Sequence, residues 1–234
     1  MAVILKAKNL TKKYVNNNLT ITAVDNLSFS INKGKIVVIL GPSGAGKSTL
    51  LNLIGGMDTI SEGSLIVDGE DISSFNKQQL SKYRRDKIGF VFQFYNLMPN
   101  LTAKENVELA SELKEDSFDA EQILIQVGLQ ERMNNFPSQL SGGEQQRVSI
   151  ARAIAKNPSI LLCDEPTGAL DYQTGKQILS LLASYSKKDK KTVIIVTHNS
   201  ALKDMANQLI RIKNGKIIEN SINKNPKPIE EIEW

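Results

Sequence analysis

The sequence is poor in the residues and runs that mark secreted or membrane-spanning proteins. It contains a single cysteine, Cys163, so it can form neither an internal disulfide nor a multi-cysteine metal site, and a reducing compartment fits it best. No run approaches the roughly 18 consecutive apolar residues of a transmembrane helix. The N-terminus lacks the basic and apolar regions of a signal peptide. We therefore expect neither a signal peptide nor a transmembrane span.

Extremes of charge are also missing. The net charge is +4, and the lysines responsible are scattered among acids rather than gathered in a stripe, so we expect no nucleic-acid partner. Hydrophobic residues make up 41% and charged residues 23% of the chain, which is ordinary for a folded globular protein. A chain of 234 residues can form one large domain or one domain with a smaller insertion.

Short apolar runs alternate with amphipathic helical patterns, which predicts an α/β fold with parallel strands and crossover helices. The early strands are expected to form an antiparallel layer beside the parallel sheet. Asn214-Gly215 between two apolar runs indicates a hairpin. The predicted strands are Val3 to Leu10, Leu19 to Ile31, Lys35 to Leu40, Ser64 to Gly69, Ile160 to Cys163 and Thr192 to Thr197. The predicted helices of the core are Lys47 to Leu53, Gln173 to Ser184 and Ser200 to Asn207.

The segment from Lys77 to about Lys156 differs from its surroundings. Helix-forming Glu, Gln, Lys, Leu and Ala dominate it, with breaks at Pro99 and Pro137, so it predicts an inserted α-helical subdomain. We place the α/β core at residues 1–92 and 158–220 and the helical subdomain at 93–157. Residues 221–234 are predicted to be a peripheral C-terminal tail.

A glycine-rich stretch, Gly41 to Thr49, matches the phosphate-binding pattern G-x-x-x-x-G-K-[ST]. It lies between a predicted strand and a predicted helix, the context that a P-loop requires. In such a loop, backbone N–H groups approach the phosphates, Lys47 reaches the β- and γ-phosphates and Ser48 binds Mg²⁺. A nucleoside triphosphate and Mg²⁺ are therefore the predicted ligands. The loop residues are Gly41, Pro42, Ser43, Gly44, Ala45, Gly46, Lys47, Ser48 and Thr49.

Two adjacent acids, Asp164 and Glu165, follow the apolar run Ile160 to Cys163. Alone, they are also typical of a strand that ends in a polar turn. Strand alternation would point the two side chains in different directions, so Asp164 is predicted to serve Mg²⁺ and Glu165 to act as general base toward the attacking water.

The sole histidine, His198, ends the run Thr192 to Thr197. A lone histidine is more often structural than catalytic. Its predicted place at the carboxyl edge of a parallel strand, where ligands gather in α/β sheets, favours contact with the γ-phosphate or the attacking water.

The stretch Leu140 to Arg147, LSGGEQQR, resembles the signature of ATP-binding cassette (ABC) proteins. A serine and two glycines that open a helix can form an anion site, or simply a capped helix start. In the family, two cassettes pack head to tail, and each signature closes over the ATP on the other's P-loop. The resemblance thus implies a two-fold symmetric homodimer in the ATP-bound state. Ser141, Gly142, Gly143 and Glu144 would lie at the partner's nucleotide.

The resemblance covers nearly the whole chain. It implies that Gln93 senses Mg²⁺ and links the core to the helical subdomain, that Asp171 lies at the dimer seam, and that His198 is the switch histidine. Tyr14 occupies the place where family members stack an aromatic ring on adenine, although a surface aromatic on an edge strand would leave the same pattern. The implied fold is a P-loop NTPase with a RecA-like core, and the implied activity is ATP hydrolysis coupled to transport, with Glu165, His198 and Lys47 as catalytic residues.

Three stretches, Leu53 to Asp58, Phe92 to Thr102 and Asp164 to Asp171, are similar to the ATPases of the MacB and LolD group. These work with FtsX-like permeases, and some export macrolides or antimicrobial peptides. The resemblance implies a separate permease, since this chain ends soon after the cassette, and a place at the cytoplasmic face of the membrane. An extracytoplasmic adaptor is a further candidate partner. An FtsE-like or LolD-like role in the cell envelope is the alternative. Phe94 to Met98 is either part of a permease-docking groove or ordinary core packing.

Two other classes of protein fit less well. ABC cassettes of translation or DNA repair more often carry tandem cassettes, coiled-coil insertions or zinc cysteines, which this sequence lacks. A P-loop kinase or GTPase has no use for the signature. The GTPase base-reading motif, Asn/Thr-Lys-x-Asp, is also missing.

Overall fold

The computed structural model describes residues 2–16 and 19–233; the outermost residues of the predicted core and tail, 1 and 234, lie outside these ranges. The strands are β1 (Val3–Asn16), β2 (Leu19–Asn32), β3 (Ile36–Leu40), β4 (Glu62–Val67), β5 (Glu70–Asp71), β6 (Ile88–Val91), β7 (Ile160–Asp164), β8 (Thr192–Thr197), β9 (Gln208–Lys213) and β10 (Lys216–Ile222). The α-helices are α1 (Lys47–Ile54), α2 (Lys77–Lys87), α3 (Ala103–Ser111), α4 (Ala120–Gln126), α5 (Gly142–Ala155) and α6 (Tyr172–Asp189). None of these helices within the described ranges is both long and apolar enough to cross a membrane.

The larger sheet is the centre of the molecule. Its strand order is β10-β9-β3-β8-β7-β6, and only β10 runs antiparallel to its neighbour. Both faces are buried: along β3, Val37 and Ile39 enter one apolar cluster while Val38 and Leu40 enter the other. Burial on both faces explains why these strands read as continuous apolar runs. The carboxyl ends of the parallel strands therefore meet at one edge.

The smaller sheet has the order β2-β1-β4-β5 and is antiparallel throughout. Residues of β1, β2 and β4 share an apolar cluster with α1 and one face of the larger sheet. Residues of α3 to α6 form the second cluster on the other face. The α/β core with an antiparallel layer is thus confirmed.

Several elements differ from the sequence-based expectation. The helix-rich stretch after Lys77 contains β6, a strand too short and glycine-interrupted to show a pattern, and it completes the larger sheet beside β7. The helix expected from Ser200 is a 3₁₀ helix, Ser200–Met205. The expected peripheral tail buries Ile229 and Ile232 in the second cluster, and Lys176 of α6 donates a hydrogen bond to the carbonyl oxygen of Glu230.

Candidate functional site

Four neighbouring strands deliver the predicted site residues to one edge of the larger sheet. The P-loop follows β3, His198 follows β8 and Gln93 follows β6. Asp164 is the last residue of β7, and Glu165 comes directly after it. They surround a cleft of about 710 Å³. Its lining residues are Ala23, Pro42, Ser43, Gly44, Gly46, Lys47, Ser48, Thr49, Gln93, Asp164, Glu165 and His198. Sequence reasoning missed only Ala23 in this set, because a small apolar residue of β2 carries no chemical signal.

The P-loop gives α1 an unusual start. Gly46 occupies the N-cap with a φ of 97°, and no side chain caps the first N–H groups of the helix. A Cβ at this position would collide with the carbonyl oxygen of Ala23, so only glycine fits. Lys47 is 7% exposed, and its Nζ donates to the Pro42 carbonyl oxygen at 3.0 Å. Uncapped N–H groups beside a nearly buried cation form a site that suits phosphate.

A hydroxyl and a carboxylate lie together beside the P-loop. Ser48 Oγ donates to Asp164 Oδ1 at 3.3 Å. Burial raises the pKa of Asp164; the Ser48 hydrogen bond opposes this rise, and the charge of Glu165 adds to it. Burial disfavours the ionised form of this carboxylate, and a nearby cation would stabilise that form. In the described part of the chain, no group of three His, Cys, Asp or Glu side chains could hold a metal. The hydroxyl of Ser48 beside the carboxylate of Asp164 fits Mg²⁺, because this ion needs only one or two oxygen ligands from the protein and takes the others from phosphate and water.

Glu165 turns out of strand β7 and toward the end of β8. Its backbone lies in the left-handed region, with a φ of 46°, which is uncommon for a residue with a side chain. Oε2 accepts a hydrogen bond from Thr197 Oγ1 at 2.9 Å, and Oε1 lies 2.8 Å from His198 Nδ1. A turn, rather than the expected strand alternation, therefore separates Glu165 from Asp164. Two of the three predicted catalytic side chains, Glu165 and His198, form a contact pair.

Tyr14 lies beside the end of the P-loop, and two residues that sequence reasoning missed hold it there. Its hydroxyl donates to Asp58 Oδ2 at 2.7 Å, and Lys12 Nζ donates to Asp58 Oδ1 at 2.6 Å. The Lys12 ammonium also lies 5.0 Å from the centre of the Tyr14 ring. Burial and Asp58 raise the pKa of Tyr14, while a hydrogen bond with Thr49 opposes this. The tyrosine is therefore a fixed ring, 42% exposed. Asp58 ends the stretch Leu53 to Asp58, which is similar to the MacB and LolD group but does not by itself indicate a role for Asp58 beside Tyr14.

The signature residues do not line this cleft. Ser141 is the N-cap of α5: its side chain accepts from the Glu144 N–H at 3.3 Å, while Glu144 Oε2 accepts from the Ser141 N–H at 2.8 Å. The hydrogen bond from Ser141 lowers the pKa of Glu144, and Glu144 Oε1 accepts from Arg132 Nε at 3.3 Å. Glu144 is thus committed to capping, and as a carboxylate it would repel a phosphate. Asp171, likewise outside the cleft, is the N-cap of α6.

Gly142 and Gly143 bring α5 close to its neighbours. A Cβ on Gly142 would lie 2.9 Å from the Tyr95 hydroxyl, and one on Gly143 would collide with Thr174. Gly41 is similarly enclosed, by the carbonyl of Ile212, and Ala45 of the P-loop is buried. The two signature glycines therefore let α5 approach Tyr95 and Thr174 closely, and a larger residue would displace one of these side chains.

Comparisons with known proteins identify the family of the chain. Residues 24–168, more than half of the chain, match the family described as ABC transporter. The chain is 44% identical over 99% of its length to the putative ABC transporter ATP-binding protein MG065 of Mycoplasma genitalium, and covers 50% of that protein. It is 39% identical over 94% of its length to the macrolide export ATP-binding/permease protein MacB of Vibrio parahaemolyticus, covering 34% of it. The chain thus spans half or less of these two relatives.

A third relative has a similar length. The ABC transporter ATP-binding protein MJ0796 of Methanocaldococcus jannaschii is 46% identical over 91% of this chain, which covers 94% of that protein. A dimeric structure of MJ0796, described as a post-hydrolysis state bound to ADP and Pi, superposes with a TM-score of 0.86 over 94% of this chain and 98% of the other. The fold and these matches together establish that the chain belongs to the ABC transporter family, as an ABC ATPase.

Proposed function

We propose that two copies of this chain bind two ATP molecules with Mg²⁺, close into a symmetric sandwich, and reopen when ATP is hydrolysed. The observation that carries this proposal is the separation of the P-loop cleft from the Ser141 helix start, because one chain then offers only half of each site. The dimeric structure of MJ0796 supports the same arrangement by its description. ATP would favour closure because it binds the closed state better than the open one.

The cleft residues divide the chemistry among them. Lys47 and the uncapped N–H groups of α1 would bind the phosphates and stabilise the charge that develops as the γ-phosphate leaves. Ser48, Asp164 and Gln93 would hold Mg²⁺, which neutralises phosphate charge when bound. Glu165 would orient and deprotonate the attacking water, while His198, through its Nδ1 contact, would hold the carboxylate in place. Tyr14, fixed by Asp58, would carry the adenine ring.

Gln93 begins a segment that connects the cleft to the helical region, proposed as residues 93–157. Arg152 of α5 donates to the carbonyl oxygens of Tyr95 at 2.9 Å and Asn96 at 2.6 Å. The side chain of Asn106 accepts from the Met98 N–H and donates to the Met98 carbonyl. Any shift of Gln93 upon Mg²⁺ binding would therefore be passed directly to α5, whose start carries the signature.

The same segment offers a surface for the membrane partner. Phe94 is 75% and Met98 55% exposed, while Leu97 between them packs on the second cluster. Exposed large apolar side chains on an otherwise anchored segment are typical of a docking site. We propose that Phe94 and Met98 contact an FtsX-like permease, and that core packing accounts only for Leu97.

The transport role is proposed from the relatives. MacB of Vibrio parahaemolyticus combines an ATP-binding part with a permease, and its name describes macrolide export. We propose that this chain powers export of antimicrobial peptides, macrolide-type antibiotics or similar compounds at the cytoplasmic face of the membrane, with an extracytoplasmic adaptor as a further partner. We propose that the permease is a separate polypeptide, since MJ0796 is named an ABC transporter ATP-binding protein alone, whereas MacB is named an ATP-binding/permease protein.

The change Glu165→Gln tests the proposal. Glutamine keeps the shape but removes the base, so we expect ATP binding to persist, turnover to fall by about 100-fold or more, and a dimer to accumulate with ATP in gel filtration. Glu62→Gln, at an exposed acid of β4, is the matched control and should behave as wild type. Rapid turnover by the Glu165 variant, or a monomer at saturating ATP, would contradict the mechanism.

A further inference from the structure

A second cleft, of about 650 Å³, lies apart from the nucleotide site, between α2 and the ends of α3 and α5. Four cations line it, Lys82, Arg84, Arg85 and Lys156, together with Leu113 and three polar residues of α2. No acidic residue is part of the lining. Arg85 is paired with Asp86 at 2.7 Å, whereas the other three cations form no ion pair in the described part of the chain. The cleft therefore concentrates positive charge, which the single neighbouring carboxylate of Asp86 offsets only in part.

Lys156 is the residue that this charge affects most. It lies partly buried at the C-terminal end of α5, and its one hydrogen bond is from Nζ to the Arg84 carbonyl oxygen at 3.1 Å. An ammonium has three N–H donors, so two remain unused. Burial lowers the pKa of Lys156 to about 8; Arg152, Arg84 and Lys114 add to the lowering, and Asp86 opposes it. Asp86 offsets the neighbouring positive charges only in part, so a bound anion would further favour the protonated form of this lysine.

Helix capping explains only part of the arrangement. Basic residues in the last turn of α2 complement the helix dipole, and Lys156 satisfies one of the carbonyl groups there. Neither effect requires three unpaired cations around one cleft, since a single surface lysine would cap the helix at lower electrostatic cost. A partly buried, uncompensated charge is unfavourable unless a counter-charge binds.

We propose that this cleft binds a phosphate-bearing anion, free in solution or on a lipid headgroup, with Lys156, Arg84 and Lys82 as its ligands. A guanidinium and two ammonium groups supply the donors that phosphate recognition requires. Arg84 also donates to the Gly56 carbonyl oxygen at 2.5 Å, just beyond the end of α1. The anion would thus join the helical region to the helix that carries the P-loop.

The pKa of Lys156 is a direct readout that does not depend on ATP turnover. NMR of ¹³C-lysine-labelled protein, with the Lys156 signal assigned by Lys156→Arg, is followed through a pH titration with and without diphosphate. We expect diphosphate to raise this pKa from about 8 by about one unit or more, which means roughly tenfold tighter binding to the protonated lysine. Lys82→Gln should reduce the shift, and Lys188→Gln, which removes one exposed charge from α6, should preserve it.

Diphosphate also suits the P-loop, so Lys47→Met separates the two sites. The Lys156 shift should survive this change; its loss, or no shift at diphosphate concentrations that fill the P-loop, would overturn the proposal. Sedimentation with phosphatidylglycerol vesicles, compared with phosphatidylcholine, then identifies the source. Binding to the anionic vesicles that Lys156→Gln weakens several-fold indicates a lipid headgroup. A diphosphate shift without vesicle binding indicates a soluble phosphate compound.

Discussion

Two helices of this chain begin at glycine-rich sequences, and they begin in opposite ways. At α1, Gly46 caps the helix without a side chain, and the first turn contains no acid. At α5, Ser141 and Glu144 form a complete capping box, and the acid of the first turn is already paired with Arg132. Both sequences suggest an anion site, but the capping box of α5 satisfies the N–H groups of Ser141 and Glu144, whereas no side chain caps any N–H group in the first turn of α1. Unsatisfied N–H donors at the start of a helix indicate an anion-binding site.

The start of α5 is stable without a ligand, so its signature residues need a different explanation. The serine hydroxyl accepts from one N–H but still has its own O–H to donate. A phosphate brought by a second copy can take that donor without breaking the cap. In the proposed dimer, the contrast therefore separates a primary phosphate site at α1 from a supplementary one at α5, which would complete a site on the partner chain.

The largest expected effect is at the primary site. Lys47→Met keeps the apolar stem but removes the nearly buried charge beside the uncapped helix. We expect ATP binding to weaken by about 10- to 100-fold and turnover to fall by about 100- to 1000-fold. Isothermal titration and a phosphate-release assay measure the two quantities. Lys13→Met, at an exposed lysine of β1 paired with Glu62, is the control; equal losses in both variants would contradict the role of Lys47.

A smaller effect is expected at the supplementary site. Ser141→Ala removes a helix cap and should lower the free energy of unfolding by about 1 kcal/mol. Thr102→Ala removes the same kind of capping box from α3, where Thr102 and Glu105 make reciprocal hydrogen bonds, so the loss of stability should match.

The two variants should differ in turnover. Loss of one hydrogen bond to a charged phosphate costs about 1.5–3 kcal/mol, so Ser141→Ala should turn over ATP roughly 10- to 100-fold more slowly. Thr102→Ala should stay near wild type. Steady-state rates at saturating ATP, together with urea unfolding, separate the effects. Similar turnover in both variants would show that Ser141 only caps α5 and does not contact a phosphate.

Local sequence patterns predicted the position of the α1 site better than that of the α5 site. The P-loop, Asp164 and His198 could be placed from sequence because buried parallel strands direct their carboxyl ends to one edge. The signature could be identified but not placed, since its contacts depend on a second chain. Strand β6 was missed because four residues interrupted by Gly89 show no periodicity. Asp58 was missed because its contacts with Tyr14 and Lys12 join residues 44 and 46 apart along the chain, and Lys12 was missed because its role depends on Asp58.

If Tyr14 carries the adenine ring as proposed, Asp58 would extend the primary site to the base of the nucleotide. Asp58→Asn removes the charge that holds both the Tyr14 hydroxyl and the Lys12 ammonium, although burial alone would favour the neutral form. A displaced ring should weaken ATP binding by about fivefold, the equivalent of about 1 kcal/mol, and leave tripolyphosphate binding unchanged. Competition titrations with the two ligands test this. Glu62→Gln is the matched control, and an equal loss for both ligands would place Asp58 at the phosphates rather than the base.

The smallest expected effect is a gain in stability at the primary site. Because burial raises the folded-state pKa of Asp164, the folded chain holds this proton more tightly than the unfolded one. The ionised form therefore destabilises the fold, and the penalty appears as the pH rises through the folded pKa. Asp164→Asn should raise the Tm of the nucleotide-free protein by about 2–4 °C for each 1 kcal/mol gained. The gain should be larger at pH 7.5 than near pH 4, close to the ordinary pKa of the group, and ATP with Mg²⁺ should stabilise the variant less than wild type. Differential scanning calorimetry at both pH values measures the Tm. A lower Tm, or a gain independent of pH, would show that the ionised Asp164 does not destabilise the nucleotide-free protein.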